Sequence, residues 1–372
     1  MTRKIRLVHF FYLSFLIACI PVNSVLANQE CKDLTHIYAG LDGSVSEEII
    51  LELKAPAGYG ADSSAQQSLT LPTISWGAQC RAGNDQKCAD IIKLLHKWAR
   101  ADALDVDRKT NPNSKFSINT TLIGPIRSYI FAKQAKGKQF AKKITDIEKW
   151  LKKVTNTGSY SEYDWWAKKP SHNHLMGSLS VLALMAVIEN NPSKLRNYKK
   201  KLGDALSNIR SDGSFVDESR RGTLALFYSA KNLSFIFGTI ITMEEYYEEI
   251  VGEPFLLSDN ANQNFHKAMN YLVNNIVGER SIIKYARENH FVPGFGDWKK
   301  QDVLFINKEL SWLIDYIQKY QEYDVKDKVM NGIVPEFSKT LFNSIRYKQF
   351  PNRNTGFQTG CGLFRNAVTI PK

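Results

Sequence analysis

The chain has 372 residues, 43% of them hydrophobic, which is enough for one large domain or two small ones. It contains no Pro/Ser-rich linker or low-complexity tract, which counts against several linked domains and favours one domain over residues 28–372. The formal net charge of +12 becomes +9 when the three basic residues near the N-terminus are removed (+12 − 3), so we expect a polyanionic partner.

The N-terminus has the pattern of a cleaved export signal over residues 1–27. Arg3, Lys4 and Arg6 precede an apolar run, and small or aliphatic residues end at Ala27. A membrane anchor is disfavoured because the run is short for a spanning helix and contains a proline. Lipidation at Cys19, in a lipobox-like stretch, is the alternative. We favour cleavage after Ala27, and hence a periplasmic protein without stable membrane insertion.

The cysteines that remain after signal cleavage indicate disulfides. An even number of cysteines in an oxidising compartment favours disulfides over metal ligation. Three pairings are open, and we favour the one that joins Cys80 to Cys88 and Cys31 to Cys361. Because the chain has no Cys-x-x-Cys or His-x-x-x-His spacing, we expect no metal and no cofactor.

Beyond the signal, the chain is predicted to be almost entirely helical. Residues 28–80 are turn-rich and are expected to form an irregular wrap. Apolar spacing then predicts helices over residues 89–101, 120–135, 140–154, 175–189, 192–209, 221–251, 261–277, 307–320 and 329–346. Short loops between helices and no convincing strand pairs indicate an all-α array of antiparallel hairpins. Such hairpins can close into an incomplete α/α toroid with a cleft; an ordinary helical bundle is the alternative.

A first polar island, Ser171-His172-Asn173-His174, precedes a strongly apolar helix. An aromatic and basic stretch containing Trp165, Trp166 and Lys168 stands just before it. Histidine is suited to proton transfer near neutral pH. The alternative role is structural, with Asn173 as the cap of the helix. A metal site at the two histidines is disfavoured because their spacing does not select a metal.

A second island runs from Glu218 to Tyr228 and contains the pair Arg220-Arg221. On one continuous helix, Arg221 and Tyr228 would lie two turns apart on the same face. Arginine binds a carboxylate through a two-point fork, and nearby cations would lower the pKa of a buried tyrosine. The alternative is a solvated charge pair followed by a tyrosine of the core.

Together the two islands resemble the motifs of the periplasmic alginate (poly-mannuronate) lyases. Asn173-His174 is similar to the Asn-His motif of that family, and Glu218-x-x-Arg221-x-x-x-x-Leu226-x-Tyr228 is similar to its second motif. Weaker similarities, such as Phe342-Asn343-Ser344-x-Arg346, extend the resemblance over residues 80–346.

The resemblance implies an α/α toroid and a β-elimination reaction on an acidic, uronate-containing polysaccharide such as alginate. It implies that Asn173 and Arg221 neutralise the uronate carboxylate, while His174 and Tyr228 carry out the proton transfers. We assign substrate binding to Arg220, Trp165, Trp166, Lys168, His172 and Arg346. The expected partner is the polysaccharide rather than nucleic acid, and the expected state is a monomer.

One departure from the family affects the substrate. The family follows its histidine with Ser-Tyr-Trp, whereas this chain has Leu175-Met176-Gly177, which indicates a different uronate polymer. Two other functions stay open. One is a glycoside hydrolase that uses a carboxylate pair such as Asp164 and Glu218. The other is a non-catalytic protein that binds or exports polysaccharide.

Overall fold

The computed structural model describes residues 48–51, 63–105, 114–158, 169–278, 280–288, 298–299, 301, 312–320, 351–352, 355 and 357–358. The long helices of these residues are α1 (Leu71–Arg81), α2 (Asp85–Arg100), α3 (Ser114–Lys136), α4 (Ala141–Gly158), α5 (Asn173–Ile188), α6 (Pro192–Ser207), α7 (Ala225–Val251) and α8 (Asp259–Val277). Shorter elements are α9 (Ile283–Ala286), α10 (Trp312–Lys319) and an antiparallel pair of two-residue strands, β1 (Pro351–Asn352) and β2 (Phe357–Gln358).

The eight long helices of the described chain pack in two layers. The odd-numbered helices form the inner layer, in which each helix contacts the next, and the even-numbered helices pack outside them. Each outer helix follows its inner helix through a short connection, so the chain builds antiparallel hairpins. Since inner and outer helices alternate, the four inner helices run in the same direction and their N-termini lie at one end.

The composition of the helices explains the two layers. In α5, 12 of 16 residues are buried, and in α7, 21 of 27 are buried, whereas α6 buries only five of 16. A helix that is apolar on all sides needs neighbours all round, while an amphipathic helix leaves one face in water. By length and composition α7 could cross a membrane, but 94% of its most apolar window is buried inside the protein, so it is a core helix here.

Helices α1 and α3 approach so closely that glycine is required on both. A Cβ atom at Gly77 would lie 2.3 Å from the Ser128 Oγ atom, and one at Gly124 would lie 2.4 Å from the Ile74 Cγ1 atom. Real side chains do not approach to these distances. The two glycines therefore set the spacing of the first two inner helices.

Arg127 joins three parts of the chain inside the core. Its side chain is 1% exposed and donates hydrogen bonds to the carbonyl oxygens of Thr355 and Gly238, both at 3.0 Å, and to the Thr242 hydroxyl at 2.7 Å. Burial lowers the pKa of Arg127 to about 10, which still leaves the guanidinium charged at neutral pH. Thr355, which lies between β1 and β2 in the chain, is thereby fastened to α3 and α7.

The connections between the helices have clear sequence causes. Asn84, Asn191 and Ser258 each accept a hydrogen bond from a backbone N–H in the first turn of the helix that follows. Helix α7 ends at Gly252, whose φ of +82° is readily accessible only to glycine. The disulfide between Cys80 and Cys88 closes the α1–α2 connection, which confirms that predicted bridge. Cys31 and Cys361 lie outside the described residues.

The all-α hairpins are confirmed, with one error in the N-terminal part. Residues 63–80 were expected to belong to an irregular wrap, but they are helical, and a π-helical turn, Gln66–Thr70, leads there into α1. Pro72 is part of the pattern that suggested turns, yet it stands at the start of α1, directly after the π-helical turn. Gly77 lies in the contact with α3. The predicted helix over 329–346 lies outside the described residues.

Candidate active site

The first island forms the start of the inner helix α5. His172 is the N-cap residue, with extended backbone angles (φ −78°, ψ 139°), and its Nδ1 atom lies 3.2 Å from the backbone N of His174. The cap is therefore His172 rather than Asn173. Asn173 and His174 stand in the first helical turn, where the helix dipole favours negative charge.

The second island is not one continuous helix. Two short 3₁₀ turns, Glu218–Arg220 and Gly222–Leu224, precede α7, and Arg221 lies between them with φ −108° and ψ 33°. The expected shared helical face for Arg221 and Tyr228 is therefore wrong. The two side chains still meet, because the 3₁₀ turns bring the Arg221 Cζ atom to 4.1 Å from the centre of the Tyr228 ring.

Glu218 connects the two islands. Its Oε1 atom accepts a hydrogen bond of 2.6 Å from the backbone N–H of Asn173, and its Oε2 atom forms an ion pair of 2.9 Å with the Arg221 Nε atom. Glu218 and Arg221 are 0% and 1% exposed. The sequence suggested Glu218 as a residue of the second motif and as one carboxylate of a possible hydrolase pair, and its spacing from Arg221 is a recognisable ion-pair signal. The structure gives it a different place, behind the arginine.

Arg221 also contacts the capping histidine. Its Nη2 atom lies 2.5 Å from the Nε2 atom of His172. A neutral imidazole carries one ring proton, so its two nitrogens cannot both accept a hydrogen bond at once. If Nε2 accepts from Arg221, then Nδ1 carries the proton and its contact with the His174 N–H is no longer a hydrogen bond. His172 thus belongs to the arginine site.

Burial and positive charge keep both histidines of the island neutral. The pKa of His174 lies well below its usual value, first because of burial and then because of the charges of Arg221 and Lys231. Burial and Arg221 also lower the pKa of His172 strongly. Burial raises the pKa of Glu218, although Arg221 and the Asn173 N–H oppose this shift. A neutral His174 is the form that can accept a proton.

Three inner helices supply the walls around His174. Its ring stacks on Phe116 near the start of α3, with ring centres 4.3 Å apart and planes inclined by 16°. The Lys231 Nζ atom of α7 lies 4.6 Å from the centre of the same Phe116 ring and is almost fully buried. Lys231 is a cation of this site that motif reasoning missed. Its i+3 position after Tyr228 was the available signal.

Asn173 offers a buried amide to a ligand. Its side chain is 0% exposed, and neither its Oδ1 nor its Nδ2 atom forms a hydrogen bond within the described part of the chain. An unsatisfied buried amide costs about 1–3 kcal/mol of stability. Together with Arg221, this amide can bind a planar carboxylate and the anion that forms next to it.

The other predicted substrate contacts are dispersed or lie outside the described residues. Arg220 forms an ion pair of 2.7 Å with Glu288 and does not belong to the buried group around Arg221. Trp165, Trp166, Lys168 and Arg346 fall outside the described residues. Within the described residues, no group of three or more His, Cys, Asp or Glu side chains is arranged to hold a metal ion.

Packing accounts for the residues Leu175-Met176-Gly177, which stand after His174 where the family has Ser-Tyr-Trp. Met176 is 1% exposed, and a Cβ atom at Gly177 would lie 3.4 Å from the Phe235 ring and 3.7 Å from the Phe116 ring. A tryptophan at position 177 would need those two rings to move. Leu175 is the partly exposed residue of the three.

Comparisons with known proteins bear on the family and the fold. A family model described as alginate lyase matches residues 60–282, which are 223 of the 372 residues and therefore more than half of the chain. No curated protein sequence matches the chain.

Solved structures share the fold. A Tyr-to-Phe variant of alginate lyase A1-III, complexed with a tetrasaccharide, superposes with a TM-score of 0.60 at 16% identity, covering 81% of this chain and 87% of the other. Alginate lyase A1-III from Sphingomonas species A1 gives a TM-score of 0.54 at 16% identity, covering 81% and 90%. The predicted α/α toroid is thereby confirmed.

Proposed function

The chain belongs to the alginate lyase family, and we propose that it cleaves an acidic, uronate-containing polysaccharide by β-elimination. The observation that carries the proposal is the convergence of four side chains at the N-termini of α5 and α7: Asn173, His174, Arg221 and Tyr228. They supply an amide, a neutral imidazole, a guanidinium and a phenol. This set matches a reaction that removes a proton next to a carboxylate.

The first step is neutralisation of the uronate carboxylate. Arg221 and the Asn173 amide bind the C6 carboxylate, which makes the C5 proton more acidic and stabilises the enolate-like anion. Glu218 pairs with the guanidinium through Nε and His172 contacts Nη2, so the substrate carboxylate binds the N–H groups that remain on Nη1 and Nη2. In a site this deeply buried, the attraction between carboxylate and guanidinium is much stronger than in water.

The second step is elimination. A base removes the C5 proton, the C5 electron pair forms the C4–C5 double bond, and the C4–O bond to the leaving sugar breaks. Tyr228 donates a proton to the departing oxygen. His174 or Tyr228 is the base, depending on whether proton and leaving group lie on opposite faces or on the same face of the sugar ring.

The substrate class follows from charge and from the relatives. Alginate, or an exopolysaccharide with the same carboxylate chemistry, suits a site built from Arg221, Lys231 and three helix N-termini. We propose further that the protein acts in the periplasm after cleavage of residues 1–27, as a monomer and without nucleic acid.

The placement of Glu218 supports a lyase over a hydrolase. A general acid must reach the glycosidic oxygen, whereas both oxygens of the Glu218 carboxyl group are engaged, Oε1 by the Asn173 N–H and Oε2 by Arg221.

A panel of polyuronates tests the proposal. The mature protein is incubated with polymannuronate, polyguluronate and polygalacturonate, and the absorbance of the unsaturated uronyl product is followed. Tyr228→Phe, which keeps the ring under Arg221, is expected to lose about 100-fold to 10,000-fold in kcat. Arg196→Ala, at an exposed arginine of α6, is the matched control and should keep full activity. Saturated product ends, or binding without cleavage, would contradict the lyase proposal.

A further inference from the structure

A cavity lies along the outer helix α8, away from the candidate active site. It has a volume of about 550 Å³ and is bounded by α8, by Asp212 of the turn before the second island, and by the segment that follows α8, at Ser281 and Lys284. The four active-site side chains, Asn173, His174, Arg221 and Tyr228, are not in its lining. Its size is in the usual range for small-molecule sites in proteins.

Polar side chains and the ring of Tyr271 line this cavity, and carbon atoms make up much of its surface. Four side-chain amides of α8 face it, at Asn262, Gln263, Asn270 and Asn274, and Lys267 stands among them. Walls that combine amides with carbon surface suit a sugar, whose hydroxyl groups can exchange hydrogen bonds with water for hydrogen bonds with amides.

Helix α8 carries more amides than its folding requires. Seven of its 19 residues are Asn or Gln, although Asn is a poor helix former. Asn264 donates a hydrogen bond to the Leu206 carbonyl oxygen at 3.0 Å, and Asn275 accepts one from the Ile282 N–H at 2.7 Å. These two amides have structural roles. The structure assigns no such role to those that line the cavity.

Two amide oxygens of the lining are buried without a hydrogen bond. The Oδ1 atoms of Asn270 and Asn274 lie one helical turn apart on α8, and neither accepts a hydrogen bond from the described residues. Buried polar atoms of native proteins normally have partners. Hydroxyl groups of a ligand would supply donors to both oxygens.

The charge of the cavity indicates an acidic ligand. Asp212 is already engaged, since it accepts a hydrogen bond of 2.8 Å from the Tyr285 hydroxyl and forms an ion pair of 3.1 Å with Lys284. Lys284 therefore neutralises Asp212, and Lys267 adds a net positive charge to the walls. A single carboxylate group is the matching ligand charge.

We propose that this cavity binds an oligosaccharide segment of the acidic polysaccharide outside the catalytic cleft. The amides bind sugar hydroxyls and Lys267 binds a uronate carboxylate. The proposal rests on the proposed function for the identity of the polymer. The loop that contains Asp212 borders both the cavity and the candidate active site. Arg210, two residues before Asp212, donates a hydrogen bond of 2.7 Å to Ser219 Oγ, next to Glu218. A polymer held at α8 is kept near the cleft, which raises its local concentration there.

A binding experiment separates the two sites. The chain with Tyr228→Phe, which slows turnover, is titrated calorimetrically with hexasaccharides of mannuronate, guluronate and galacturonate. Two binding events are expected. Adding Asn270→Ala, Asn274→Ala and Lys267→Ala should weaken one of them by about tenfold or more. Asn260→Ala, an exposed amide of α8 outside the lining, is the matched control.

A kinetic experiment on the otherwise unaltered chain completes the test. The α8 triple substitution is expected to raise KM for the polymer severalfold and to leave kcat/KM for a trisaccharide unchanged. Because alanine replaces asparagine within a helix, the thermal midpoint should not fall. Unchanged binding and unchanged polymer KM would overturn the cavity proposal alone. If the triple variant loses binding and the unsubstituted chain cleaves no polyuronate, the cavity proposal is supported and the lyase proposal is refuted.

Discussion

Glu218 and Arg221 stabilise each other's charge in a place without solvent. Breaking a buried ion pair from one side leaves the other charge uncompensated, which costs about 3–5 kcal/mol. The pair also has a geometric effect, because Glu218 holds both the guanidinium and the first backbone N–H of α5. The carboxylate site of the proposed reaction is thus assembled before substrate arrives. Preorganised charge of this kind accounts for much of the rate enhancement of many enzymes.

Replacing Glu218 with glutamine tests this positioning role. Glu218→Gln keeps an oxygen for the Asn173 N–H but removes the charge that orients Arg221, so we expect kcat/KM to fall by about 100-fold. Asp217→Asn is the matched control, because Asp217 pairs with Lys169 at 2.7 Å in the same loop. Steady-state kinetics and thermal melting are measured for both. If the two variants lose stability equally and activity equally, Glu218 has only a structural role.

The lowered pKa of His174 leads to a prediction about the pH dependence of activity. Since the pKa of His174 lies well below its usual value, His174 stays neutral as the pH falls from 8 to 6. The kcat/KM of the lyase should therefore not show the roughly fourfold loss at pH 6 that an ordinary histidine base would cause. Lys231→Met removes a charge that lowers this pKa, so it should move the acidic limb of the pH profile to higher pH. If the acidic limb of the pH profile does not move in the Lys231→Met protein, His174 is not the base.

At the scale of elements, the sequence predicted seven of the eight long helices of the described chain and missed the inner helix α1. The outer helices have one apolar face, and their positions agree with the prediction to within a few residues, as α2 and α8 illustrate. The inner helix α1 has no such face, because its small residues pack on every side. In the sequence, Gly77 is typical of a residue that ends a helix. In the structure, it lies where α1 contacts α3.

Two glycine substitutions compare these layers directly. Gly77→Ala pushes a methyl group into Ser128, including its backbone, so we expect a loss of about 1–3 kcal/mol in the free energy of unfolding. Gly203→Ala is the control within outer helix α6, where a Cβ atom meets nothing within 4 Å. There alanine should add up to about 1 kcal/mol. Urea unfolding of both variants is the measurement. A stabilised Gly77→Ala protein would contradict the close packing of α1 and α3.

At the scale of the whole molecule, the toroid collects helix N-termini at one end. Phe116, Asn173 and Tyr228 come from α3, α5 and α7, and all three lie near the beginning of an inner helix. This follows from the alternation of inner and outer helices rather than from any local motif. The fold thus places positive dipole ends and basic side chains where a polyanion would bind.

Buried neutral histidines make the stability of the whole fold depend on pH. The pKa values of His172 and His174 are strongly lowered, and burial lowers that of His266 to about 4. Below pH 6.5 these histidines bind protons in the unfolded chain but stay neutral in the folded chain. The free energy of unfolding therefore falls as the pH falls. Each histidine should contribute a loss of about 1 kcal/mol between pH 7 and 5.5.

Urea unfolding at pH 7 and at pH 5.5 measures this loss. His266→Gln removes one of the three groups, and its protein should lose less stability over the same interval than the unsubstituted chain. An equal loss in both proteins would show that His266 is not part of the effect.

The sequence by itself determined the helical class and the two islands, and it favoured the disulfide between Cys80 and Cys88 among three possible pairings, because periodicity and residue type are local properties. The tertiary structure decided how the islands meet. Asn173 and Glu218 are 45 residues apart, and Arg221 and His172 are 49 apart, so both contacts depend on the packing of α5 against α7. The cavity along α8 has the same origin, since its walls come from three separate segments. Spacing along a chain predicts neighbours within a helix, but only packing decides which helices share a site.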